Sequence, residues 1–111
     1  MNTTTIIRFS ITRTSSGVEG SITCSPSTPS LVRAISMLVE GTPDSTARVE
    51  GDTVFARTEG EEHWKVIQEM VGQPPDWPTK FEVGEGSITA EMTVPMGPDI
   101  LARSIIQDTG G

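Results

Sequence analysis

Cysteine, histidine and tyrosine are scarce in this chain, and the shortage excludes several kinds of chemistry. Among its 111 residues are one cysteine, one histidine and no tyrosine. One cysteine cannot form a disulfide within the chain, and a structural zinc site needs four ligands. With few aromatic side chains, a stacking platform for bases or sugars is disfavoured. We therefore predict neither a metal site nor a cofactor.

Long apolar stretches are also missing. No run approaches the roughly 18 apolar residues of a membrane helix, and the chain does not start with a basic segment followed by an apolar one, as a signal peptide does. We expect a cytoplasmic protein without membrane contact. The length is that of a single domain spanning residues 1–111.

Basic residues are outnumbered. Eight lysines and arginines face fifteen acidic residues, which gives a net charge of −7. Proteins that coat nucleic acid gain affinity by neutralising phosphates, so nucleic acid is disfavoured as a partner. The charge suits a basic protein partner, although acidity can also serve solubility alone.

Catalytic groups are hard to assemble from what remains. Cys24 and His63 could form a thiolate–imidazole pair only if the fold brought them together, and nothing in the sequence places them side by side. Cys24 ends an apolar strand pattern, which is typical of a buried cysteine. The glycines at Gly84 and Gly86 are not followed by the lysine and helix of a phosphate loop. We predict no catalytic residues and a protein that is not an enzyme.

A short motif recurs along the chain. Glu85-Gly86-Ser87-Ile88-Thr89 has a copy at Glu19-Gly20-Ser21-Ile22-Thr23 and a looser echo at Glu50-Gly51-Asp52-Thr53-Val54. Each is followed by a helix-like segment and a glycine. This favours one supersecondary unit used three times, over about residues 3–41, 45–72 and 79–109. Short glycine motifs also recur by chance, so the alternative of a fortuitous echo stays open.

Hydrophobic periodicity predicts two strands and a helix in each unit. Residues 3–13 alternate between apolar and polar side chains, as a half-buried strand does. Thr28 and Pro29 predict the first helix start, Thr58 and Glu61 have capping-box spacing before a helix over 59–71, and Pro98 suits the start of the last helix. The apolar sides predicted for the three helices are Leu31, Val32, Ile35, Leu38 and Val39; Trp64, Ile67, Met70 and Val71; and Ile100, Leu101, Ile105 and Ile106. The proline-rich stretch 73–79 is predicted to be an ordered connection, with Trp77 against the core edge.

This order predicts an α+β fold. Three consecutive ββα units give a sheet of about six strands, mainly antiparallel, with three helices on one face and the other face open. On the open face we predict four basic and three acidic side chains, a net charge of +1. The binding residues expected there are Arg8, Thr12, Thr23, Arg48, Phe55, Arg57, Thr89 and Glu91.

Phe55 receives two conflicting assignments. Pairing Val54 with Val49 across a tight turn puts Phe55 on the open face beside Arg48. Aligning the three motifs instead places Phe55 with Cys24 and Ala90, on the buried side. Only one of these registers can be correct.

Three functional hypotheses follow. The leading one is a non-enzymatic acidic protein-binding module, such as an accessory, inhibitor or immunity-type protein, with a basic protein or a second copy of itself as partner. The second is a nucleic-acid binder that uses Arg8, Arg48, Phe55, Arg57 and Lys80 on the open face. The third is a small-molecule-binding or catalytic domain with a cavity under Trp64 and Trp77.

Overall fold

The predicted order of elements is confirmed in a computed structural model, which describes residues 3–73 and 76–108. The strands are β1 (Thr5–Arg13), β2 (Gly17–Ser25), β3 (Ser45–Glu50), β4 (Thr53–Glu59), β5 (Thr79–Gly84) and β6 (Ser87–Val94). The helices are α1 (Pro29–Glu40), α2 (Glu62–Gly72) and α3 (Pro98–Asp108). The fold is therefore α+β, built as ββα three times. The end of the third predicted unit, residue 109, lies outside the described residues.

All six strands join one antiparallel sheet, in the order β3-β4-β2-β1-β6-β5. Each unit contributes one hairpin. The first hairpin lies in the middle, because β2 pairs with β4 and β1 pairs with β6. Three strands thus lie on either side of the boundary between β1 and β2.

The three helices cover one face of this sheet, as predicted. Alternate residues of the strands point to that face and form the hydrophobic core with the helices. One cluster joins Ile7, Val54 and Val94 of the sheet to α1 and α3. A second cluster joins Val18 and Ile88 to Trp64 of α2. Burying each such side chain stabilises the fold by about 1.5–3 kcal/mol.

The first helix begins as the sequence predicts. The Thr28 side chain accepts a hydrogen bond of 3.2 Å from the Leu31 amide, and Pro29 occupies the first turn. Leu31 is fully buried, and Val32 and Ile35 pack beside it. The cap and the apolar stripe together place α1 over β3 and against α3.

The second helix begins later than predicted. The capping box at Thr58 and Glu61 does not form, because β4 continues through Glu59. Instead, the Thr58 hydroxyl bonds the Ser45 hydroxyl at 2.7 Å across the hairpin. Helix α2 starts at Glu62 and lacks a side-chain cap. Thr58 therefore takes part in the β3–β4 hairpin and does not cap the helix.

One apolar residue in each predicted helical stripe is exposed. Leu38 is 46 % exposed, Met70 is 52 % exposed and Ile100 is 61 % exposed. Helical spacing predicts the side on which a residue lies, but it does not tell whether the sheet extends beneath that residue.

The copies of the Glu-Gly-Ser-Ile-Thr motif have different structures. Gly51 and Gly86 are hairpin-turn residues with φ of 60° and 74°, a region that favours glycine. Gly20 instead lies inside β2, paired with Ile11 and Ala56. The ββα order repeats, but the motif does not mark the same point in each unit.

The connection before β5 is described in part. Pro74 and Pro75 of the predicted ordered connection lie outside the described residues. Trp77 packs against the first core cluster, in agreement with its predicted place at the core edge. The Thr79 hydroxyl donates a 2.9 Å hydrogen bond to the Trp77 carbonyl.

Candidate functional site

The sheet face opposite the helices is the candidate site, and we call it the open face. Its middle row crosses all six strands and consists, in order, of Arg48, Phe55, Ser21, Ser10, Thr89 and Glu82. Residues flanking this row on one side are Thr46, Arg57, Glu19, Thr12 and Ser87, and on the other Glu50, Thr53, Thr23, Arg8, Glu91 and Lys80. All eight predicted binding residues lie on the open face.

Phe55 lies on this face because its neighbour Val54 is buried. Val54 is 1 % exposed and pairs with Val49 and Ile22. Phe55 therefore points away from the helices, beside Arg48, whose guanidinium carbon lies 5.0 Å from the ring centroid. This cation–π contact confirms the hairpin register and shows that the motif-based alignment was wrong.

Three arginines of the open face have carboxylate neighbours. Arg8 donates from Nε to Glu91 Oε2 at 3.1 Å, and Arg57 donates from Nε to Glu59 Oε1 at 3.0 Å. Arg48 lies 3.6 Å from Glu50. Because all six side chains are well exposed, each pair is worth about 0–1 kcal/mol. The pairs therefore contribute little to the stability of the fold.

The charge of the open face differs from the prediction. Glu19 lies on it opposite Thr12, and Glu59 follows Arg57 on the same side of β4. The face thus carries five acids and four bases, a net charge of −1 rather than the predicted +1, which leaves −6 of the chain's −7 elsewhere. Strict alternation from Val18 would have placed Glu19 correctly.

Two open concavities lie side by side on this face. One has a volume of about 540 Å³ and is flanked by Arg48, Phe55 and Arg57. The other has a volume of about 470 Å³ and is flanked by charged side chains of β1, β5 and β6. Ser10 and Ser21 line both concavities. Short hydroxyl side chains in the middle of the sheet make this depression, because longer side chains stand on either side.

Cys24 and His63, the residues considered for nucleophilic chemistry, line neither of these two concavities. Burial raises the pKa of the Cys24 thiol from 9.0 to about 11, so the thiol is protonated at neutral pH. Cys24 packs toward the α1 and α3 cluster, whereas His63 lies in the first turn of α2, with Nε2 3.9 Å from Glu62. Within residues 3–73 and 76–108, no three histidine, cysteine or acidic side chains are grouped closely enough to hold a metal ion.

The two tryptophans named in the third hypothesis pack against different core clusters. Trp64 belongs to the cluster under α2, and Trp77 packs against the cluster under α1 and α3. Trp64 is buried, whereas Trp77 is partly buried at the edge of its cluster. Across the part of the chain that the structure describes, none of the helices is both long enough and apolar enough to cross a membrane.

Comparison with known proteins adds no constraint on function. No protein-family model matches the chain, and no curated protein and no solved structure matches it either. The open face is therefore interpreted from its own residues.

Proposed function

We propose that this chain is a non-enzymatic protein-binding module and that its partner protein binds on the open face. The observation that supports this most is the side-chain arrangement of that face. An arginine stacked on a half-buried phenylalanine, Arg48 on Phe55, borders a depression lined by serines and threonines. Arginine and aromatic side chains are enriched in interfaces, and they supply much of the binding energy there.

The distribution of charge supports a protein partner over a nucleic acid. The four bases of the face are matched by five acids, and Arg8, Arg48 and Arg57 each have a carboxylate within 4 Å. A phosphate backbone would have to displace these carboxylates and would meet a net negative face. A protein partner with both signs of charge meets no such barrier.

The face can also bind without unpaired polar groups. Hydroxyls such as those of Ser10, Ser21 and Thr89 each donate one hydrogen bond and accept others, so they adapt to either kind of partner group. Full burial of Phe55 would add about 1.5–3 kcal/mol at most, because the ring is already partly covered in the free chain. This combination suits a specific complex of moderate affinity.

Affinity capture with matched variants tests the proposal. The immobilised wild type is compared with Phe55→Glu on the open face and with Val66→Glu on α2, where Val66 is 53 % exposed. Both changes replace an apolar side chain by an acidic one, on opposite sides of the molecule. We expect the wild type and Val66→Glu to retain the same partner and Phe55→Glu to lose it.

The salt dependence of capture provides a second test of binding by the open face. Capture that depends on the bases and acids of the face should weaken between low and high salt, because exposed charge pairs are screened. A partner retained equally by all three baits would place its binding site outside the open face and contradict the proposal. So would retention by Phe55→Glu combined with loss from Val66→Glu.

A further inference from the structure

We infer that the partner on the open face is a second copy of this chain, packed face to face about a two-fold axis that runs parallel to the strands between β1 and β2. The inference rests on the proposed function, since it names the protein that the open face binds. It is carried by the order of charges across the sheet.

The strand order makes such an axis possible. Three strands, β3, β4 and β2, lie on one side of the axis, and three, β1, β6 and β5, lie on the other. A two-fold rotation about this line places β3 of one copy opposite β5 of the second copy, and β4 opposite β6. The interface is isologous, so each contact occurs twice.

The edge charges are complementary under this rotation. The middle row begins with Arg48 on β3 and ends with Glu82 on β5. Rotation places Arg48 opposite Glu82 of the second copy. In the neighbouring row, Glu50 on β3 comes opposite Lys80 of the second copy. Four pairs of opposite charge thus form at the rim of one dimer.

The positions between the edges raise no conflict. Phe55 comes opposite Thr89 of the second copy, and Ser21 comes opposite Ser10. In the outer rows, Arg8 comes opposite Thr23 and Glu19 opposite Thr12. No base meets a base and no acid meets an acid in these rows. Charges lie at the rim of this interface, as is usual, whereas its middle consists of small hydroxyl residues with Phe55 on either side.

The size and charge of the face also fit. Six strands about 4.8 Å apart, each 6–9 residues long at about 3.3 Å per residue, form a face on the order of 25 Å by 25 Å. This is comparable with the roughly 800 Å² that each partner contributes to a standard interface. The open face carries only −1 and the remaining surface −6, so repulsion between two copies is smallest when they meet through the open face.

Exchanging the two edge charges tests the pairing. Arg48→Glu brings two carboxylates together at both rims of the dimer, and Glu82→Arg brings two guanidinium groups together there. Each variant alone should dimerise on the order of tenfold more weakly than the wild type, because two attractive pairs become repulsive. In an equimolar mixture, one chain of each variant forms a dimer in which both rims again pair a carboxylate with a guanidinium group. Sedimentation equilibrium should show dimers in the mixture at concentrations where each variant alone is monomeric.

Two further samples separate this inference from the proposed function. Arg103→Glu on α3 removes a base from the helix layer and should dimerise like the wild type. A wild type that stays monomeric at about 1 mM overturns the inference, as does a mixture no more dimeric than its components. Neither result affects capture of a different protein by the open face, which the Phe55→Glu bait tests independently.

Discussion

Replacing Gly20 by alanine should destabilise the fold, although Gly20 has no unusual backbone conformation. A Cβ atom at Gly20 would lie 2.3 Å from the Ser10 carbonyl oxygen and 3.2 Å from the Ile11 Cα. Both atoms belong to the backbone of β1, so no side-chain rotation can relieve the contact. The two strands must separate by about 1 Å, in a part of the sheet that is paired on both sides.

The cost can be compared with that at Gly86, the equivalent residue of the sequence motif. Overpacking of this kind costs about 1–3 kcal/mol, or roughly 4–12 °C in melting temperature for a domain of this size. Gly86 has φ of 74° and nothing within 4 Å of an added Cβ. Its substitution costs only the left-handed backbone conformation, about 1–2 kcal/mol for alanine and less for asparagine.

Asparagine distinguishes the two causes most clearly. Gly86→Asn should be nearly neutral in urea unfolding, because asparagine tolerates positive φ and the site is open. Gly20→Asn should be at least as destabilising as Gly20→Ala, because a larger side chain meets the same β1 backbone. Equal effects of asparagine at the two glycines, or a neutral Gly20→Ala, would refute the assignment of Gly20 to the interior of β2.

Two further predictions concern buried groups. Thr5 is fully buried, and its hydroxyl donates a 2.8 Å hydrogen bond to the Met96 carbonyl. Thr5→Val should therefore lower the free energy of unfolding by about 1–3 kcal/mol, and by more than Thr5→Ser, which keeps the donor. Denaturant titrations that rank the two variants the other way would contradict this role of the hydroxyl. The Cys24 thiol has a pKa of about 11 in the fold against 9.0 as its ordinary value, so the unfolded chain loses this proton first and stability should fall as pH rises through that window. The difference in unfolding free energy between the wild type and Cys24→Ala should shrink over the same window, and a difference that stays constant would show that burial does not hold the thiol protonated.

The sequence predicted the elements of the fold well, because local patterns determine them. Alternation in β1 and the cap at Thr28 are both local, and both are confirmed. The strand order was out of reach, since the pairing of β1 with β6 joins residues more than 70 positions apart and depends on the whole core. Likewise, the helix start after Thr58 was mispredicted because a hydroxyl on the neighbouring strand, that of Ser45, bonds the capping residue.

In the candidate site too, features that depend on local sequence could be predicted, and features that depend on the strand order could not. The hairpin turn placed Phe55 correctly, because a two-residue turn at Gly51-Asp52 determines its own register. The motif alignment failed because glycine is the first residue of that turn but the second residue of the turn at Glu85-Gly86. A shift of one position exchanges the two faces of a strand. The relation between Arg48 and Glu82 depends on the strand order, so no local pattern could have predicted it.

The molar mass of the wild-type chain in solution tests the central claim most directly. Light scattering across a concentration series should show the mass rising from that of one chain of 11.9 kDa to that of two. Phe55→Glu removes the apolar ring from the middle row and puts a carboxylate there, away from the solvated rim, so this variant should keep the mass of one chain over the same range. A wild type that remains at one chain, or a Phe55→Glu variant that dimerises equally well, would contradict the claim that the open face binds a second copy.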